Sequence, residues 1–94
     1  MSVTLNARVR ISPEVLHQQV RDEVVILDLG GEQYYGLNAV GSRIWDLLDG
    51  DHTLGQVAEI ITREFDAPAA QVQDDLRALL DTLVAAGLVV IVAQ

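Results

Sequence analysis

The chain has 94 residues, enough for one domain near the small end of those that fold around a single core. Half of its residues are hydrophobic with clear periodicity and none is cysteine, which excludes a disordered tail, a disulfide scaffold and a thiol nucleophile. Fourteen acids against six bases, every base an arginine, give a net charge of −8 and exclude an ordinary phosphate-neutralising surface.

The imbalance sharpens along the chain: from Ile44 onward only Arg63 and Arg77 are positive, against nine carboxylates. Such a domain repels nucleic acid and anionic membrane and favours a basic partner, although acidic residues also keep an apolar domain in solution. The first residues lack the basic-then-apolar layout of a secretion signal, and no apolar run approaches the roughly 20 residues of a membrane helix. The expected address is the cytoplasm.

Residues 7 to 11, Ala-Arg-Val-Arg-Ile, alternate as a short strand or extended arm that Ser12-Pro13 interrupts. Val15 to Val20 is a weak strand candidate, and Arg21-Asp22-Glu23 a polar turn. Val24 to Leu29 is a strong strand, β-branched and bounded by Gly30-Gly31, which supplies the positive φ of a two-residue hairpin turn. That register pairs Leu29 with Glu32, Leu27 with Tyr34 and Val25 with Gly36 on one face. It pairs Asp28 with Gln33, Ile26 with Tyr35 and Val24 with Leu37 on the other. Both faces are largely apolar, whereas a half-exposed antiparallel pair alternates apolar with polar. Each face therefore calls for a cover.

Three helices follow. Asn38 is placed to N-cap the first, with Val40, Ile44, Leu47 and Leu48 as its buried stripe and Asp49-Gly50-Asp51 as its end. Thr53-Leu54-Gly55-Gln56 matches a capping box opening a second helix that buries Leu54, Val57, Ile60 or Ile61, and Phe65. Pro68 suits the first turn of a third helix reaching Ala86, with Gly87 as its stop and Val72, Leu76, Leu79, Leu80, Leu83 and Val84 as its stripe. Leu88 to Val92 is a final β-prone run able to pair with the hairpin or the N-terminal arm. The plan is α+β, a short antiparallel sheet followed by three helices, and these are also the parts of a winged helix-turn-helix domain. Fold alone does not settle function.

A search for catalytic chemistry fails. His17 falls in a strand and His52 in a polar turn, far apart, and neither Ser2, Ser12 nor Ser42 lies in a nucleophile elbow. Gly30-Gly31 and Gly36 are not followed by the Lys-Ser/Thr of a phosphate loop. Asp46, Asp49 and Asp51 lack the remainder of a calcium loop, so no metal or cofactor is expected. Asp74, Asp75 and Asp81 read as a solvated helix face or a contact for a basic partner, and would be repelled from a major groove. Trp45 is offset from the Ile44 stripe, where a core position is the commoner outcome. Tyr34 and Tyr35 point to opposite faces, so at most one shares a core with Leu37. The other is covered by the third helix, exposed or used for recognition.

The combined pattern of Val25-Ile26-Leu27-Asp28, Tyr34-Tyr35-Gly36-Leu37-Asn38 and Gly41-Ser42-Arg43-Ile44-Trp45-Asp46-Leu47-Leu48 with Asp49-Gly50 closely resembles the PqqD-like family. These are the recognition domains, or precursor-peptide chaperones, of pathways that modify ribosomally synthesised peptides. The similarity continues through Thr53-Leu54, Phe65-Asp66, Asp74-Asp75-Leu76 and Leu83 to Gly87-Leu88-Val89, roughly residues 9 to 90. One departure is Ala67 before Pro68, where many relatives carry an acidic cap.

The resemblance implies a non-catalytic, winged-helix-like domain that binds the leader segment of a precursor peptide and presents it to a separate modifying enzyme, such as a leader peptidase of a lasso-peptide pathway. In such domains the leader adds as a strand to the hairpin's second strand. Carried onto this chain, the edge is Gln33, Tyr34, Tyr35, Gly36 and Leu37, with Leu27 beside it, and the groove involves Val72, Asp75, Leu76 and Leu79. A different class of reading is an oligomerisation or regulatory module whose exposed strand pairs with its own copy as a homodimer.

Overall fold

The computed structural model describes residues 4–28 and 32–93. Its elements are β1 (Arg8–Ile11), β2 (Leu16–Val20), β3 (Glu23–Asp28), β4 (Gln33–Leu37), α1 (Ala39–Asp46), β5 (Asp49–Thr53), α2 (Leu54–Phe65), α3 (Ala69–Ala85) and β6 (Val89–Ala93). The strands form two three-stranded antiparallel sheets, ordered β5-β1-β6 and β2-β3-β4. The architecture is α+β, with strands between and after the helices as well as before them.

The hairpin has the register that alternation dictates. Val24 pairs with Leu37, Val25 with Gly36, Ile26 with Tyr35, Leu27 with Tyr34 and Asp28 with Gln33. Val24, Ile26 and Leu37 face the helices and are buried. The expected turn at Gly30-Gly31 and the pairing of Leu29 lie outside the described residues. The final apolar run takes the N-terminal arm as its partner, β6 lying against β1.

Each helix is closed by local chemistry. Asn38 caps α1 by accepting a hydrogen bond from Gly41 N–H at 2.8 Å. Thr53 and Gln56 satisfy each other's backbone amides at the start of α2, a reciprocal capping box. Gly87, at φ +74°, ends α3 as Gly87 N–H bonds Val84 C=O and Leu88 N–H bonds Leu83 C=O. Leu83 and Leu88 are both buried, which supplies the apolar contact that accompanies this type of stop.

Several boundaries differ from the sequence reading. Pro68 sits at the N-cap of α3, and Ala86 is its C-cap. Leu47 and Leu48 are buried although they lie past the end of α1. Val40, Ile60, Leu79 and Val84 are only half-buried and flank the core, while Ala58 takes a buried place. Phe65 is 39 % exposed because it ends α2, and Asp66 turns the chain away at φ +50°.

The largest correction is β5. Asp49 to Asp51 is a strand start, and His52 lies in that strand. Propensity gave no hint of it, because pairing with β1 and a local carboxylate create it. Asp49 accepts hydrogen bonds from the N–H groups of Asp51 and His52, at 2.9 and 3.0 Å, and its other oxygen meets His52 Nδ1 at 2.8 Å. Gly50, at φ +83°, takes a conformation that other residues enter only under strain.

One buried hydroxyl joins the hairpin to α1. Ser42 Oγ accepts from Val24 N–H at 2.7 Å and donates to Leu37 C=O at 3.1 Å, with the residue only 2 % exposed. Ser42→Ala should therefore leave a buried donor and acceptor unpaired and cost about 1–3 kcal/mol. That corresponds to roughly 4–8 °C of melting midpoint per kcal/mol in a domain of this size. Thermal circular dichroism measures it, and an unchanged midpoint would mean that the bridge adds no net stability.

The bonds to Asp49 generate a second expectation. They hold its carboxyl below the ordinary value of 3.8, the His52 and Asp51 amides contributing most. The folded chain thus binds this proton less tightly than the unfolded one. Its stabilising effect is complete above the ordinary value and is lost as pH falls through the lowered one. Asp49→Asn should flatten the loss of stability in that acid window, read from urea midpoints across pH.

Candidate functional site

β3 covers only one side of β4, so β4 is an edge of its sheet, and its other row of main-chain groups meets no strand among the described residues. A sheet edge of this kind templates the pairing of another chain. Beside it the fold makes a groove of about 400 Å³, lined by Gly36, Leu37, Asn38, Val40, Gly41, Ile44, Asp75 and Leu79. The end of β4 and the first turns of α1 form one wall, and α3 forms the other.

The α3 residues named from the sequence divide between core and surface. Val72, Asp75, Leu76 and Leu79 follow an i, i+3, i+4, i+7 pattern and so share a side of the helix. Val72 and Leu76, at 5 % and 1 % exposure, are sunk in the core. Asp75 is exposed and Leu79 half-buried, and these two reach the groove. Asp75 is its only charged lining residue.

The tyrosines part as the register requires. Tyr35 shares the face of Ile26 and Leu37, is half-buried against the core, and donates its hydroxyl to Gln33 Oε1 at 2.7 Å. Tyr34 lies on the opposite face and is 74 % exposed. Leu27 is its cross-strand neighbour, so the pair stands away from the groove.

Sequence reasoning missed Asn38, Val40, Gly41 and Ile44 as groove residues. The signal was present in part: the Asn38 cap fixes where α1 starts, and Gly41 follows three residues later. A Cβ on Gly41 would come within 3.3 Å of Asn38 Oδ1 and 3.4 Å of Leu37 Cβ, so glycine lets α1 approach β4 closely. Trp45 is fully buried, with the His17 ring edge-on at 5.6 Å, and its indole N–H has no hydrogen-bonding partner among the described residues.

A larger depression of about 500 Å³, bounded by Leu5, Gly55, Glu59, Arg63 and Gln73 among others, lies between the N-terminal arm, α2 and α3. It contains no residue of β4, so it lacks the main-chain edge that adjoins the smaller groove. Among the described residues no cluster of histidine, aspartate or glutamate has the geometry to hold a metal ion. No described helix is long and apolar enough to cross a membrane.

Fold and site together define an α+β chain with an open strand edge beside a helix-walled groove. Residues 23–89 match the family model for Coenzyme PQQ synthesis protein D (PqqD), and the chain belongs to the PqqD family. The match spans β3 through α3 and so contains the whole edge and groove. The chain is 35 % identical over 80 residues to the PqqA binding protein of Xanthomonas euvesicatoria pv. vesicatoria (strain 85-10), covering 85 % of this chain and 80 % of that one. Among solved structures it is similar to TbiB1 in complex with the TbiA(beta) leader peptide. There the TM-score is 0.77 and the identity 38 %, over 85 % of this chain and 93 % of TbiB1. Lasso peptide synthetase B1 complexed with the leader peptide gives a TM-score of 0.77 at 27 % identity, over 89 % of this chain and 99 % of that one.

Core and groove residues on α3 should respond differently to truncation. Leu76→Ala should cost about 2–5 kcal/mol, as large-to-small changes in a core do. Leu79→Ser should cost much less, leaving a folded chain with an altered groove wall. Urea titrations of the two variants compare them directly; equal losses would place Leu79 in the core.

Proposed function

We propose that this chain is a non-catalytic recognition domain, spanning residues 1–94, for the leader segment of a ribosomally synthesised precursor peptide. The leader adds as a strand to the outer edge of β4, Gln33 to Leu37, and sets alternate side chains into the groove formed with α3. The domain then presents the precursor to a separate modifying enzyme, such as a leader peptidase of a lasso-peptide pathway, in the cytoplasm.

The observation that carries this reading is the coincidence of a free main-chain edge and a groove along the same strand. Strand addition draws affinity from main-chain bonds and specificity from pockets for alternate side chains, and both parts are supplied here. Apolar leader side chains fit against Leu37, Val40, Ile44 and Leu79, and a basic one fits Asp75. The leader-bound structures of TbiB1 and lasso peptide synthetase B1, and the PqqA binding protein, support the class of ligand.

Titration with a cognate precursor's leader peptide should give a saturable complex of roughly micromolar affinity. Backbone resonances of Gln33 to Leu37 should shift, and unmoved resonances there would sink the strand-addition model. Shifts confined to β2, the other edge of the same sheet, would relocate the added strand. Proline removes one amide, either from the outer edge or from the hairpin ladder. Placed at Tyr35, and separately at Tyr34, it should abolish binding in whichever variant keeps its circular dichroism spectrum. A concentration-dependent dimer that excludes the leader would instead favour self-pairing through the edge.

A further inference from the structure

The second sheet, β5-β1-β6, ends on β6, whose far row of main-chain groups meets no strand among the described residues. β6 reads Val-Val-Ile-Val-Ala. It has neither the charge nor the proline by which sheet edges are ordinarily kept from pairing. Ser12 N–H bonds Leu88 C=O, and the antiparallel ladder then sets Arg10 against Val90. Main-chain groups in such a ladder alternate, so Leu88 and Val90 turn theirs toward β1, and Val89 and Ile91 turn theirs to the free side. Val90 and Val92 are 37 % and 50 % exposed, while Val89 is buried and Ile91 half-buried. A Cβ on Gly50 would come within 3.5 Å of Arg10 Cβ and 3.8 Å of Val92 Cγ2, which puts Val92 on the outward face beside Arg10.

Charge separates this edge from the others. β5, on the far side of the same sheet, carries Asp49 and Asp51, and β4 borders Asp75. Beside β6 stand Arg8 and Arg10 of β1, and neither is in ion-pair distance of a carboxylate among the described residues. Asp49, the cross-strand neighbour of Arg10, spends its oxygens on Asp51 and His52. In a chain of net charge −8, two copies can therefore approach at β6 without bringing acid against acid.

The strand is also its own complement. A twofold axis through Ile91 sets that residue against Ile91 of a second copy, each exchanging its outward N–H and C=O with the other. The same axis pairs Val90 with Val92 of the second copy, a β-branched cross-strand contact of the favourable kind. The two β1 strands then lie three strand spacings apart, about 14 Å. That exceeds the screening length of roughly 8–10 Å, so their arginines do not oppose the pairing. Five residues a side fall far short of the roughly 20–30 of a standard interface, so the contact is weak and reversible.

We propose that β6 is a self-pairing edge, through which two copies join antiparallel along Val89–Ala93 into one continuous six-stranded sheet. The pairing uses no residue of β4 and none that lines the groove beside it. It therefore differs from a dimer closed through β4, which would occupy the peptide edge.

The test takes the chain alone from low-micromolar to near-millimolar concentration, followed by sedimentation velocity and by backbone amide spectra. The average mass should rise toward that of a dimer, and the Val89 and Ile91 amides should shift with concentration while Gln33 to Leu37 stay in place. Added salt should strengthen the dimer, because it screens the repulsion between two acidic chains. Val90→Lys/Val92→Lys should weaken association at least tenfold, with thermal melts confirming the fold. Val92→Lys alone, at the more exposed of the two positions, should weaken it several-fold and serves if the double variant melts early.

A chain that stays monomeric at every concentration and salt overturns the proposal, as does a dimer that the lysines leave intact. Concentration-dependent shifts in β2 or β4 instead of β6 overturn it too. No peptide is added in these measurements, so their failure and that of the leader titration are read separately.

Discussion

The structure depends on a tie made by one hydroxyl. A two-stranded hairpin is marginal by itself, and β4 has to be held firmly while its outer edge stays free. Ser42 reconciles those demands by bonding to both strands at once, taking the Val24 amide and serving the Leu37 carbonyl from inside the core. The tie works only because α1 comes very close to β4, which Gly41 permits and the Asn38 cap fixes. The strand is held by its ladder with β3, by one face and by one end. The opposite edge meets no strand among the described residues.

The remaining elements set the far wall of the groove. The capping box feeds β5 directly into α2, and Leu54 and Gly55 N–H bond the carbonyls of Ala7 and Leu5, which ties the start of α2 to the N-terminal arm. At the other end the Gly87 stop turns α3 into β6, which pairs with β1 of that same arm. Both helices are thereby referred to one sheet, and the buried Val72, Leu76, Leu80 and Leu83 set the rotation of α3 about its axis. That rotation is what brings Asp75 and Leu79 to face β4. A site assembled on rigid elements keeps its geometry better than one assembled on loops.

What could be read from the sequence follows the strength of each local signal. Apolar alternation fixes a strand's faces, because a slip of one residue would turn every side chain over, and the hairpin pairs were legible for that reason. Caps were legible because they are short-range chemistry between named side chains and nearby amides. β5 was not, since Asp-Gly-Asp-His-Thr carries no strand propensity and is recruited by β1 and by the Asp49 carboxylate. The groove was half legible. Periodicity places Val72, Asp75, Leu76 and Leu79 on one side of α3, but depth depends on what packs above them, so two proved core and two groove. Ile44 is buried as the same rule expects and lines the groove from beneath, whereas Val40 is only half-buried, because periodicity cannot see that α3 leaves a gap over it.

The edge and the groove together bear on how a small acidic domain selects a peptide and still releases it. Main-chain pairing is indifferent to side chains, so an edge strand alone would accept almost any extended segment. Selectivity has to come from the few groove positions, and Asp75 is the one among them that can favour a charge. The wider acidity of α3, with Asp74 and Asp81 against Arg77, acts at longer range and raises encounter rate more than affinity. A modest affinity then suits a carrier, because a peptide held by one added strand can leave once it is processed.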